Sequence, residues 1–394
     1  MPDMPAPASL LPFSRAEHEG RIRRLRATMR EEGLAALLVF AQNSHFYLTG
    51  YDTGGFVFFQ CAVVTADDRP IVLLTRRPDL IQARQTSIIE DIRLWWDAED
   101  ANPAVDLKAI LHELGLGGGR IGIELNTHGL TGWNLWRLQQ ALAGSCELVD
   151  GSHLVNRMRL IKSPAEIAYM RQAAALCDES LQAIIAVARP GIIDSTLTAT
   201  YLKVILEGGG DMPPNAPLFN SGHRAVYGRG VSQPRRLEAV DQMLVEYPVP
   251  YRRYCVKTEW TLIFGKTTDR QRRMYEVARD TLQKMTDIAR PGRTLDEIFQ
   301  AHADGLDEAG FRKHRFGATG YSVGATFAPT SMDVPPMIYA GNPLRCEPGM
   351  TLFYHVMNGD TDTGYAMGVG HTLLVTEGAA EVLNPLPDAL TEIV

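Results

Sequence analysis

The chain has no cysteines at CxxC spacing; its five, Cys61, Cys146, Cys177, Cys255 and Cys346, are widely scattered. That excludes a zinc ribbon or a disulfide-dense secreted scaffold, and reads as reduced thiols in a cytoplasmic protein. Also lacking are a run of about 18 apolar residues and, in the N-terminal MPDMPAPASLLPFSRAEHEG, a basic start followed by an apolar stretch. Membrane insertion and export are therefore not expected. A large excess of one sign of charge is lacking as well. The 39 basic and 46 acidic residues leave a formal net charge of -7, with no basic stripe to neutralise phosphates. Nucleic acid and anionic membrane are excluded as main partners, which leaves a small molecule or a peptide. No low-complexity stretch or short repeat is present, so a solenoid is excluded.

What is present is enough for two cores. At 394 residues the chain exceeds the roughly 250 to 300 that one core supports, and 45% hydrophobic residues supply the apolar material. Residues 1–12 are Pro- and Ala-rich and read as an extended arm. From the capping residue Ser14, with Glu17 behind it, Ile22, Leu25 and Met29 recur at helical spacing up to Gly33. LAALLVF, FVFFQCAVVT and PIVLLT read as β-runs, and 105–115 and 131–142 as helices, giving a small α/β domain over 1–155. Ser163-Pro164 with Glu166 starts a new helix and opens a second domain over 156–394. It contains helices near 195–207, 268–289 and 294–310 and strands over 240–265, 350–358 and 366–376. That order predicts an α+β unit with helices on one face of an antiparallel sheet.

Four stretches follow one another over about 160 to 385: RLIKSPAEIAYMRQAA, LVEYPVPYRRYCVKTEWTLIFGK, GATGYSVG, and EPGMTLFYHV with GHTLLVTEGAAEVL. In this order and spacing they resemble the creatinase/prolidase, or pita-bread, family, which includes methionine aminopeptidase, Xaa-Pro peptidases, creatinase and ectoine hydrolase. YLTGYD resembles part of that family's N-terminal domain. The resemblance implies a pita-bread C-terminal domain, a curved antiparallel sheet covered by helices, preceded by a smaller α/β domain.

In the peptidase members, two Asp, one His and two Glu side chains hold two metal ions. The matching positions here are Glu246, Lys257, Tyr321, His355 and Gly370. A lysine ammonium has no lone pair and repels a divalent cation, so Lys257 reads as standing in for the metal, balanced by Glu246. No cofactor is expected. A transition metal would need His355, His371 and Glu246 to converge. Creatinase itself works without metal, through a His proton shuttle and glutamates that bind cationic nitrogen. The slot of one such glutamate holds Glu259, in TEWT; that of the other holds His355, and the shuttle position is Arg229, in VYGRGVS. The chain therefore departs from creatinase, and from ectoine hydrolase, which keeps the shuttle.

Each candidate has a plain structural alternative. Arg229 either clamps a substrate carboxylate or pairs with Glu246. His355 is the first candidate for a base, or else a hydrogen-bonded core histidine. Glu259 holds a cationic nitrogen, or only compensates Lys257 two residues away on one strand face. Glu246 is a nucleophile or base toward water, or simply neutralises Lys257. Tyr321 donates to an oxyanion, or fills space. His371, after Gly370, is placed in the same cavity, and His223, in SGHRAVYG, is a substitute shuttle. Cys255 reads as a buried filler. By analogy with dimeric relatives, Tyr51 and Asp52 close the pocket from a neighbouring first domain, in a homodimer with its site near the interface. The expected activity is metal-independent hydrolysis of a non-peptide C–N bond in a small charged nitrogen compound. The alternatives are an Xaa-Pro-type metallopeptidase with unusual ligands and a non-catalytic binding homologue.

Overall fold

A computed structural model describes residues 10–334 and 337–394. The first nine residues of the expected N-terminal arm lie outside them. Two compact units divide the chain between Arg159 and Leu160, four residues beyond the expected boundary.

The first unit is built on a mixed six-stranded sheet: β1 (Ala36–Val39), β2 (Cys61–Thr65), β3 (Val72–Arg76), β4 (Asp91–Trp95), β5 (Arg120–Ile123) and β6 (Glu147–Asp150). Their order is β4-β3-β2-β1-β5-β6. The run at β1 is continuously apolar because both its faces are buried. Leu37 and Val39 pack with Ile22, Leu25 and Met29 of helix α1 (Arg15–Glu31), whose N-cap is Ser14. Ala36 and Leu38 pack on the other face with Leu107, Leu111 and Leu138. These belong to the two expected helices, Pro103–Glu113 and Gly132–Leu142. The run FVFFQCAVVT is strand only from Cys61; a 3-10 turn takes Gly55–Val57, and Val57 and Phe58 are exposed. Asp79 packs so closely on Gly55 that a Cβ there would overlap its carboxylate, which fixes the turn.

The second unit holds a nine-stranded sheet: β7 (Leu218–Ser221), β8 (Asp241–Tyr251), β9 (Tyr254–Phe264), β10 (Ala318–Ser322), β11 (Met337–Tyr339), β12 (Thr351–Asp360), β13 (Tyr365–Leu374), β14 (Glu381–Val382) and β15 (Thr391–Ile393). The main path is β11-β10-β12-β13-β9-β8-β7, all antiparallel; β15 joins β9 in parallel. Reciprocal side-chain caps start helices α2 (Pro164–Val187, Ser163 with Glu166), α3 (Asp269–Ile288, Thr268 with Gln271) and α4 (Leu295–Glu308, Thr294 with Glu297).

Helices α2 and α3 lie on the same sheet face. Ser180 of α2 donates to the Tyr247 hydroxyl at 3.3 Å, and Trp260 meets Tyr275 of α3 edge-on at 5.9 Å. Because side chains alternate along a strand, the even-numbered neighbour Glu246 and the odd-numbered Lys257 and Glu259 face the other way. Among the described residues no helix is long and apolar enough to cross a membrane.

Candidate functional site

Strand register builds the site. The turn between β8 and β9 has only two residues, Arg252 and Arg253, both left-handed (φ 50° and 69°), and it places Glu246 opposite Glu259. Glu259 in turn faces Gly370, and Gly370 faces His355. Glu246, Glu259, Gly370 and His355 thus form one line across β8, β9, β13 and β12, on the face away from α2 and α3. Two residues along the strands, Lys257, Phe353 and Tyr321 make a second line; Phe353 and Tyr321 are register partners.

Two ionic pairs occupy these lines. The Lys257 ammonium donates to Glu246 Oε1 and to the Tyr321 hydroxyl, which itself lies 3.3 Å from Glu246 Oε1. His355 Nδ1 lies 3.2 Å from Glu259 Oε2, in contact but without hydrogen-bond alignment, so neither Glu259 oxygen has a bonded partner although the residue is 0% exposed. Glycine makes this possible. A Cβ at Gly368 would overlap the Glu259 carboxylate, and one at Gly370 would lie 2.9 Å from His355 Cβ and 3.1 Å from Glu259 Cβ. The line opens to solvent at its ends, where the side chains of Glu246 and His355 are 20% and 12% exposed. Beside it, Leu244, Met357, Ala366 and Ala225 form an apolar wall.

The charges set one another. Burial pushes Glu246 up, but the Lys257 ammonium and then His355 hold it below the usual carboxylate range. Burial works against the Lys257 charge, and Glu246 more than offsets it, so the lysine stays protonated. Burial pushes Tyr321 up to about 12 against the pull of Lys257. Burial also raises Glu259, an effect His355 only partly opposes. For His355 burial is outweighed by Glu259 and Glu246, which lift it above its ordinary value. At neutral pH the first pair is therefore ionic with a neutral phenol attached, and the second retains its proton to higher pH than either group alone.

Four sequence candidates of the second unit, Arg229, His223, His371 and Cys255, stand outside this cluster or on its far side. Arg229 is exposed, with Nη1 donating to the Gly228 carbonyl at 2.6 Å, and makes no ion pair with Glu246. Asn220 bonds the Tyr227 and Arg229 carbonyls, which pins the loop backbone and leaves that guanidinium in solvent. His223 is exposed, its ring edge on Tyr227 at 6.3 Å. His371 has the opposite parity to Gly370, so it points toward the helices: Nε2 lies 3.0 Å from Thr286 Oγ1, and burial lowers it to about 4. Tyr51 is fully buried in the first unit, its hydroxyl on Gln60 at 3.3 Å, while Asp52 is half-buried. Cys255 is buried, pushed up to about 12, and 3.0 Å from the Thr326 hydroxyl.

A divalent ion does not fit this donor set. Lys257 offers no lone pair, Gly370 no side chain, and Glu246 is taken by the ammonium. His371 lies on the opposite sheet face from His355, so the convergence that a transition metal requires is missing. Among the described residues, the His, Asp and Glu atoms that do converge belong to His314, Asp360 and Asp362, and there Asp360 is paired with Arg270 and Asp362 with Lys313. Sequence reading missed Phe353 and Gly368. Strand parity with His355 and Gly370 is the signal that marks both.

Known proteins share this architecture. Residues 168–377 match Metallopeptidase family M24, and residues 21–161 match the Creatinase/Prolidase N-terminal domain. The ectoine hydrolase of Halomonas elongata is 27% identical over 397 residues, covering 96% of this chain and 98% of the relative. A creatinase from a Bacillus species is 24% identical over 303 residues, covering 74% and 72%. The crystal structure of recombinant prolidase from Thermococcus sibiricus superposes with a TM-score of 0.86 at 17% identity, over 95% of this chain and 99% of that one. The fold is the pita-bread fold.

Proposed function

The chain belongs to metallopeptidase family M24, and we propose that within it this protein is a metal-independent hydrolase of a non-peptide C–N bond in a small, charged nitrogen compound. One observation supports this above the others: the Lys257 ammonium is bonded to both Glu246 and Tyr321 at the centre of the charged strip. Ectoine hydrolase and creatinase among the relatives agree with a substrate of that kind. Candidate substrates are guanidino acids, cyclic amidines and acylated diamino acids.

In this proposal the buried, unbonded Glu259 carboxylate receives a cationic nitrogen of the substrate. Glu246, kept ionised by Lys257, takes a proton from water as its oxygen attacks the carbon. Charge developing on the substrate oxygen or nitrogen is met by the Tyr321 hydroxyl and the Lys257 ammonium. His355 delivers its proton to the departing nitrogen, and the proton held by Glu246 restores the balance once product leaves. The substrate is taken up by a cytoplasmic homodimer.

A thermal-shift panel of ectoine, creatine, guanidino acids and N-acetylated diamino acids tests this. At least one compound is expected to stabilise the wild type and not E259Q, and release of its amine or ammonia is expected to survive chelator. A panel without any stabilising member removes the proposal.

The prolidase-like fold and the family's metallopeptidase character favour a second reading, an Xaa-Pro peptidase. Chelator-sensitive cleavage of an Xaa-Pro dipeptide, with stoichiometric metal in protein purified without chelator, would select it instead.

A further inference from the structure

Phe353 belongs to neither ionic pair, yet it touches both. It is 0% exposed and sits on the site face of β12, two residues from His355. Its ring stacks on the His355 imidazole at 5.3 Å, 9° from parallel. The Lys257 Nζ lies 5.0 Å from its centroid, and the Tyr321 ring lies 5.5 Å away at 55°. We infer that Phe353 is a positioning residue: its flat face fixes the plane of the His355 ring so that Nδ1 stays on Glu259, and ties that pair to the Lys257 ammonium.

The need for such a residue follows from the imidazole's own bonding. His355 Nδ1 has no aligned hydrogen bond, and the Thr319 hydroxyl holds only the His355 backbone carbonyl, at 2.7 Å. Rotation about the bond to an imidazole ring is soft, with broad wells, so the ring plane must be set by packing. An aromatic face does this where an aliphatic side chain of similar volume does not. The π-system of the same ring attracts the ammonium, which, this deep in the unit, has little water to satisfy it. Phe353 has no group that could move a proton or hydrogen-bond a substrate, so its influence would pass through His355 and Lys257.

This deepens the hydrolase proposal, but its test needs no substrate. Wild type, F353L and F353Y are treated briefly with diethyl pyrocarbonate, which acylates a free imidazole nitrogen, at one fixed pH. Labelling at each histidine is then read by peptide mass spectrometry. In F353L labelling of His355 is expected to rise by about fivefold or more, since it follows the population of the released ring. His371, on the opposite face, is expected to be unchanged, and F353Y, which keeps the flat ring, to stay within about twofold of wild type by the same relation. Unchanged His355 labelling in F353L, an equal rise at every histidine, or an F353Y that behaves like F353L would each overturn the inference. If F353L does not fold, F353M carries the same comparison. A negative compound panel would leave this result standing, so the two failures are distinguishable. With a turned-over compound in hand, F353L is expected to lower kcat while KM holds.

Discussion

At the scale of single residues the site is a balance of buried charges, and each member can be withdrawn separately. Replacing Lys257 by methionine leaves Glu246 as an uncompensated carboxylate, and K257M is expected to lose about 3 to 5 kcal/mol in denaturant unfolding. E246Q/K257M is expected to recover much of that, because it removes both charges; a double variant as unstable as K257M would deny the coupling. Protonation gives an independent check. Glu259 and His355 both have folded-state values raised above 4.5 and 6.5, so the native state binds more protons than the unfolded one. Their stabilisation is therefore full at low pH and is lost as pH rises from 4.5 through the raised folded values. Melting scans across that window are expected to show a declining contribution in wild type that is absent in E259Q/H355Q. The identities of these residues were legible from the motif spacing. So was the balancing of Lys257 by Glu246; the contact of His355 with Glu259 was not, because it depends on register across β13, which spacing along the chain does not give.

At the scale of elements, register decides which residues meet. The β8–β9 turn achieves its register with Arg252 and Arg253 in left-handed conformations, each about 1 to 2 kcal/mol above glycine. Asn-Gly, the usual pair for such a turn, is absent, which is why sequence reading found a long strand region and did not locate the turn. R252N/R253G is expected to raise the denaturant midpoint by about 1 kcal/mol of stability without altering ligand-induced thermal shifts. Gly368 works at the same scale. G368A is expected to displace the Glu259 carboxylate, destabilise by about 1 to 3 kcal/mol from overpacking, and abolish stabilisation by cationic ligands. A fully responsive G368A would show that the carboxylate is not where ligands bind. Alternation also explains His371: it follows Gly370 in sequence, and for that reason lies on the other face. Arg229 fails differently, since spacing fixes its backbone position but not the direction of a side chain on a glycine-flanked loop.

At the scale of the whole molecule, the two-unit α/β and α+β architecture was readable because helices and strands carry strong local signals, from capping boxes to buried apolar runs. Function is less legible, because one fold serves metal-dependent peptidases and other hydrolases alike. The distinction rests on whether an ammonium occupies the place where peptidase relatives hold ions. Anomalous X-ray scattering from crystals of protein purified without chelator measures this directly. The account predicts Lys257 Nζ bonded to Glu246 and Tyr321, with no anomalous peak along the line from Glu246 to His355. Two ions bridged by protein oxygens on that line, with the lysine swung away, would contradict it.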